Sequence, residues 1–358
     1  MSTLLLRLGI TPRFVTMVLA GAVTLLLLLW MLLRPVPYVV QAAGPTFNTL
    51  GDIDEVPLIT VDGARTYATS GKLLLTTVTT AGGPEYPVYV GNVVAGWLTS
   101  DKVVPVETVF DPSQTRQELD DASQAQMISS QENATVAALT ELGYRVPAEL
   151  TIVGAQQGLG ADGVVREGDE IAAIETTGGQ VAVETYNDLA QVLADTPPGS
   201  TVTLTVRRDG EARDLDIVTA DDGSGGSVIG VFLDAEFDYP VDVEIQIDNV
   251  GGPSAGTMFA LGIIDVLTPG ELTGGEVVAG TGTISLGGAV GSIGGIRHKL
   301  AGAGAAGAEY FLAPASNCDE VIGYVPAGLQ VIAVTTLAQA RDAVESIGQG
   351  QAQDLPGC

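Results

Sequence analysis

The sequence predicts an α+β protein with a β-rich middle portion and one N-terminal transmembrane helix. Three observations carry that expectation. Residues 14–33 form a run of 20 without a charge, about the span of a bilayer's hydrocarbon core. Between residues 146 and 222, short apolar runs are bounded by glycine, proline and Asp-Gly turns. Beyond residue 222, strand-like and helix-like patterns alternate. With 358 residues, 46% of them hydrophobic, the chain can build two compact domains besides the apolar run.

The apolar run sets the expected compartment. Arg7 and Arg13 precede it, Arg34 follows at once, and the next basic residue is Arg65. That bias assigns residues 1–13 to the cytoplasm and 14–34 to a single-pass anchor in the cell membrane, with everything after it extracytoplasmic. A cleaved signal peptide competes, since Val40-Gln41-Ala42 resembles a small-residue cleavage site. The run exceeds the usual signal core, which favours an uncleaved anchor. Acidic residues outnumber basic ones 43 to 15, giving a net charge of −28. Such a polyanion lacks the lysine and arginine contacts that neutralise phosphates, so nucleic acid is not an expected partner. Most of the acidity reads as a solvated surface.

The elements follow in order. Residues 35–45 read as an extended lead within a region, 35–145, that precedes the middle domain. Residues 72–79 (KLLLTTVT) and 88–94 read as strands. Residues 112–143 lack internal glycine and proline and predict one long amphipathic helix, with Asp111 or Ser113 as cap and Gly143 as its end. Within 146–222, Ile152 and Val153 mark a strand and Gly168-Asp169-Glu170-Ile171 opens another. Thr185 and Asp188 form a capping box ahead of the Leu189, Val192, Leu193 stripe of a short helix. Residues 201–206 alternate strictly, and Asp209-Gly210 turns the chain back. Residues 221–227 (DDGSGGS) read as a linker. The final portion, 223–358, opens with Val241, Val243, Ile245 and Ile247 alternating with polar residues, and has buried strands near 309–313 and 330–334. The 72–79 strand is expected to pack with this final portion, making the middle domain an insertion.

Two cysteines occur, Cys318 and the last residue, Cys358. In an oxidising compartment they suit a disulfide that would pin the tail; two separate thiols are the alternative.

One segment carries candidate chemistry: Asn249-Val250-Gly251-Gly252-Pro253-Ser254-Ala255-Gly256, followed by an apolar helix. A glycine-rich turn there puts Ser254 at a helix N-terminus, where unpaired N–H groups, those of Gly252 and Ser254 among them, can face an oxyanion. An ordinary N-cap serine occupies the same location in most proteins. Three readings compete. Gly252–Gly256 fits the G-x-S-x-G elbow of a Ser–His–Asp enzyme, but Asp265 and the single histidine, His298, lie too close in sequence for that fold. A Ser–Lys dyad is the second reading, since Lys299 follows in an apolar, glycine-rich context that would lower its pKa. Nucleotide binding is the third. Gly302-x-Gly304-x-x-Gly307 fits G-x-G-x-x-G, but it lies between a helix start and a strand, the reverse of the dinucleotide-binding context.

Two family resemblances sharpen these readings. REGDEIAAIE, a helix, then PPGSTVTLTVRRDG resembles a bacterial PDZ domain across 146–222. That resemblance implies a groove between a strand and a helix, where a peptide adds as an extra strand. The GPSAG segment, then Gly280-Thr281-Gly282-Thr283-Ile284, then Ile293-Gly294-Gly295-Ile296-Arg297-His298-Lys299-Leu300 resembles the Lon-type (S16-like) serine peptidases, specifically those with a PDZ domain, a membrane anchor and no ATPase. This implies a Lon-type proteolytic domain of mixed sheets and packed helices over 223–358. In it Ser254 is nucleophile, Lys299 general base, and Thr281 orients the lysine. Gly251 and Thr283 depart from the family's usual Asp and Glu, outside the dyad. The resemblance also implies polypeptide substrates, a homo-oligomeric ring, and no metal or other cofactor. No G-x-x-x-x-G-K-[ST] phosphate loop occurs, so proteolysis is expected to be ATP-independent, with no nucleotide partner. A non-catalytic PDZ peptide-binding scaffold is the rival expectation.

Overall fold

The computed structural model describes residues 12–99, 101–111, 113–223 and 226–358. Residues 1–11 of the expected cytoplasmic segment, Arg7 among them, lie outside the described residues, as do Pro112 and, in the expected linker, Ser224 and Gly225. The main elements run in order as helix α1 (Pro12–Leu32), strands β1 (Tyr38–Asn48), β2 (Ile59–Asp62) and β3 (Lys72–Ala81), helix α2 (Val90–Thr99), strand β4 (Lys102–Pro105) and helix α3 (Arg116–Glu141). Next come β5 (Ala148–Ala155), β6 (Asp169–Thr176), β7 (Gly179–Ala182), α4 (Tyr186–Ala194), β8 (Thr201–Arg208), β9 (Glu211–Val218) and β10 (Val231–Phe237). The chain closes with β11 (Asp242–Ile245), α5 (Gly256–Leu267), β12 (Val277–Gly280), α6 (Ile296–Ala305), β13 (Tyr310–Pro314), β14 (Gln330–Val334) and α7 (Leu337–Gly348). The architecture is mixed α+β, in two units: residues up to 45 with 77–123, and residues 46–76 with 124–358.

In the first unit, α1 is long and apolar enough to cross a membrane. Tyr38–Gln41 of β1 pair antiparallel with β4. Val40, Val88 and Val93 form a small core. Residues 88–94 are not the strand their valines suggest: only Val88 and Tyr89 are extended, and α2 follows. Asn92 Oδ1 accepts the Tyr89 N–H at 3.0 Å, which turns the chain. A Cβ at Gly96 would come within 2.9 Å of Val103 and 3.1 Å of Val40, so only glycine lets this helix lie so close. The long helix starts later than Asp111 or Ser113. Thr115 and Glu118 cap it reciprocally, while Asp111 Oδ1 accepts from Ser113 in a local turn. Gly143, at φ 82°, ends it, with the Tyr144 N–H donating to Leu139 O.

The second unit holds two larger sheets with separate cores. One is antiparallel in the order β9-β8-β6-β5-β10, with β7 paired to β6. Asp209 and Gly210, both at positive φ, make the tight turn between β8 and β9. Thr185 and Asp188 cap α4 reciprocally, and Leu189 joins Leu150, Ile152, Ile174, Leu204 and Ile217 in the core. Asp169 is fully buried and meets Arg208 through two 2.6 Å hydrogen bonds, which hold its carboxyl below the usual carboxylate range. The sheet does not stop at residue 222. A short pairing of Ala220–Asp221 with Ser227–Val228 returns the chain, and β10 then completes the sheet edge along β5.

The other sheet runs β14-β13-β12 in parallel, and Lys72–Leu75 of β3 continue it beside β12. A strand from before the middle sheet thus pairs with one from after it. β2 and β11 pair antiparallel beside it in sequence order Ile59↔Ile245 to Asp62↔Asp242. Helix α5 is buried along nearly its whole length, among Leu73 and Leu75, the Val136–Leu139 stretch of α3, and Val344 and Ile347 of α7. A helix apolar on all faces belongs in such a core. Cys318 and Cys358 are joined by a disulfide, their Cα atoms 4.9 Å apart.

Candidate active site

The site assembles from three backbone turns that need glycine. Ser254 lies in the turn leading into α5, two residues before the first helical residue. Gly252 there takes φ 82°. A Cβ at Gly256 would come 2.7 Å from Ile284 Cγ2 and 2.9 Å from Ser130 Oγ, so this glycine lets the turn sit against its neighbours. Ser130 Oγ donates to Pro253 O at 3.0 Å, tying α3 to the turn. At the second turn, Thr281 and Gly282 follow β12. The Gly282 N–H donates to Ser254 O at 3.0 Å, and the Thr257 N–H donates to Gly282 O at 3.1 Å. A Cβ at Gly282 would meet Thr257 Oγ1 at 2.5 Å. At the third, Gly295 precedes α6 with φ 72° and starts the helix that carries Lys299.

These turns bring three candidate side chains together. Lys299 Nζ lies 2.7 Å from Ser254 Oγ and 2.9 Å from Thr281 Oγ1. Thr281 Oγ1 in turn donates to Ser254 O at 2.9 Å. Lys299 is 3% exposed, flanked on its helix by the buried Ile296 and Leu300. Burial disfavours the ammonium and brings its pKa down to about 8. At pH 7 about a tenth of such amines are unprotonated and can accept the Ser254 proton. The Gly252 and Ser254 amides donate to no other group among the described residues. Ser254, Lys299, Thr281 and Gly252, separated by up to 47 residues, thus share one site.

Asp265 does not serve a histidine. It is buried within α5, where Oδ1 accepts the Leu272 N–H at 3.1 Å and Oδ2 has no partner. Burial pushes its carboxyl up to about 6. Neither carboxylate oxygen of Asp265 meets a histidine, and His298 is half-buried on α6.

Sequence reading missed two supporting residues. One is Ser130, described above. The other is Asn317, 2% exposed, whose side chain accepts the Ile293 N–H at 2.9 Å and donates to Ile293 O at 3.0 Å. That clamp holds the Ile293-Gly294-Gly295 turn ahead of Lys299. Its neighbour Cys318 carries the disulfide to Cys358. Neither residue has a local signal, since their partners lie 123 and 24 positions away.

The site sets a buried lysine amine against a serine hydroxyl beside a glycine-rich turn. Residues 243–345 match the Lon protease (S16) C-terminal proteolytic domain. Lon protease 2 of Bacillus subtilis (strain 168) is 34% identical over 110 residues, 29% of this chain and 19% of that protein. The chain thus spans about a fifth of the length of that curated relative. Among solved structures, the PDZ domain of the SdrC-like protein of Listeria monocytogenes is 20% identical, with 24% of this chain and 85% of that one covered and a TM-score of 0.21. The corresponding PDZ domain from Listeria innocua is 17% identical, with 24% and 92% covered and a TM-score of 0.21.

Proposed function

We propose that this chain is a membrane-anchored serine endopeptidase in which Lys299 activates Ser254 and no nucleotide is needed. The observation that carries the reading is the 2.7 Å contact between Lys299 Nζ and Ser254 Oγ in a buried site. The neutral amine accepts the Oγ proton as Oγ bonds to the scissile carbonyl carbon. The oxyanion faces the free amides of Gly252 and Ser254. The new ammonium then protonates the leaving amine, the C–N bond breaks, and an acyl-enzyme remains. Water adds to that ester after giving its proton to Lys299, and the proton passes to Oγ as the acid departs. Thr281 Oγ1, 2.9 Å from Nζ, fixes the amine's direction through this cycle.

The β5–β10 sheet with α4 acts as a PDZ domain, bounded on the sequence at 146–222 and completed by β10. The edge position of β10 supports peptide capture there as an added strand. Ser227 Oγ donates to Leu193 O at 3.0 Å, keeping the segment ahead of β10 against the end of α4. Substrates are unfolded or membrane-proximal polypeptides selected by this groove. Helix α1 spans the cell membrane with the N-terminus cytoplasmic and the catalytic portion outside. The Cys318–Cys358 disulfide supports that oxidising side. The resemblance to Lon-type peptidases supports assembly into a homo-oligomeric ring.

The test compares wild type, Ser254→Ala and Lys299→Ala on an unfolded protein substrate without nucleotide. Cleavage by wild type alone is expected. Equal cleavage by all three sinks the dyad, and none by wild type points to a peptide-binding scaffold.

A further inference from the structure

Helix α2 is apolar on two faces, and only one of them is used inside the protein. Val93 and Gly96 turn inward, with Gly96 close against Val40 and Val103. On the other face Val94, Trp97 and Leu98, spaced i, i+3, i+4, are exposed; Trp97 is 66% and Leu98 81% accessible. No charged residue occurs from Tyr86 to Thr99, in a chain whose net charge is −28. Water is a poor neighbour for such a face.

The position of α2 says what covers it. The Val90 N–H donates to Arg34 O at 3.0 Å, and Pro35 and Val36 pair with Tyr89 and Val88. A Cβ at Gly91 would lie 3.4 Å from Leu32 O, at the last residue of α1. The 21 residues of α1 measure about 30 Å, one hydrocarbon thickness. Where α1 ends the hydrocarbon ends, and there α2 begins. Aromatic side chains lie near that level: Trp30 under Arg34, and the exposed Tyr89, paired with Pro35. Trp97 stands about 10 Å along α2 from Gly91, within reach of the same plane.

We infer that α2 is a second membrane contact, lying in the lipid headgroup region with Val94, Trp97 and Leu98 in the acyl boundary. This rests on the reading of α1 as a membrane span. The lipid face would fix the angle at which the chain leaves the bilayer, holding the first unit against the surface instead of letting it swing on a tether.

The experiment uses the full chain with Trp30→Phe, which leaves Trp97 as its one tryptophan. It is reconstituted in phosphatidylcholine vesicles brominated either near the headgroup or deep in the acyl chains. The expected result is co-flotation with vesicles and a loss of Trp97 emission that is stronger for the shallow bromines. Adding Leu98→Asp should leave flotation intact and relieve that quenching. Co-flotation without quenching overturns the inference, whether the indole then faces water or a second copy. Quenching unchanged by Leu98→Asp also contradicts it. Failure to float at all is a separate result: it removes the membrane span itself, and the inference with it.

Discussion

Replacing Lys299 with methionine should stabilise the fold at neutral pH while abolishing hydrolysis. Burial takes Lys299 from lysine's usual 10.5 to about 8. Between those two values the unfolded chain still binds a proton that the folded chain has released, so stability rises with pH across the window. At about 1.4 kcal/mol per pH unit, holding the ammonium costs the folded state about 3 kcal/mol at pH 7. Methionine removes that cost and keeps most of the volume. It also takes a partner from Ser254 Oγ and Thr281 Oγ1, at about 1 kcal/mol each. The variant should therefore be about 1 kcal/mol more stable than wild type at pH 7. Near pH 10 wild type has shed most of its penalty, and the order should reverse by a similar amount. Urea denaturation of both full-length proteins in detergent micelles at the two pH values measures this. A difference of the same sign and size at both would refute a buried, depressed lysine.

Thr281→Val should lower kcat about tenfold with little change in KM, because the amine loses the hydroxyl that aims it at Ser254; steady-state kinetics on a fluorogenic peptide would show it. Asn317→Ala removes both side-chain bonds to Ile293 and should cost about 2 kcal/mol in denaturant titration. Because the turn it clamps leads to Lys299, its pH–rate inflection should also move up toward the usual lysine value. Asp169→Asn leaves Arg208 without its buried partner and should destabilise the β5–β10 sheet by about 3–5 kcal/mol. The same pair makes wild type acid-sensitive. Arg208 lowers the Asp169 pKa, so this contribution is full above the unfolded value of 3.8 and fades as pH falls through the folded one. Far-ultraviolet circular dichroism against pH should show an acid transition that the asparagine variant lacks.

The turns of the candidate site were legible in the sequence because close backbone packing leaves its mark as glycine. Gly252 and Gly295 adopt positive φ, and Gly256 and Gly282 sit where a Cβ would collide. Motif spacing therefore predicted which side chains meet. The capping box at Thr185 and the Asp209-Gly210 turn were legible for the same local reason. Non-local choices were not. Residues 88–94 read as a strand by their valines, yet Asn92 turns the chain and Gly96 admits a helix. β10 follows a glycine-rich segment that reads as a boundary, but its partner is β5, some 80 residues earlier. A polar side chain such as Asn317, bonded to a distant backbone, carries no pattern at all.

The rate at which a fluorophosphonate modifies Ser254, followed from pH 6 to pH 10 in wild type and Lys299→Met, probes the account at its centre. In wild type the rate should climb through about pH 8, where the amine loses its proton, and then level off. In the variant it should stay slow and flat over that range. Equal rates in the two proteins, or a wild-type profile without an inflection, would contradict the claim that a buried neutral lysine arms the serine.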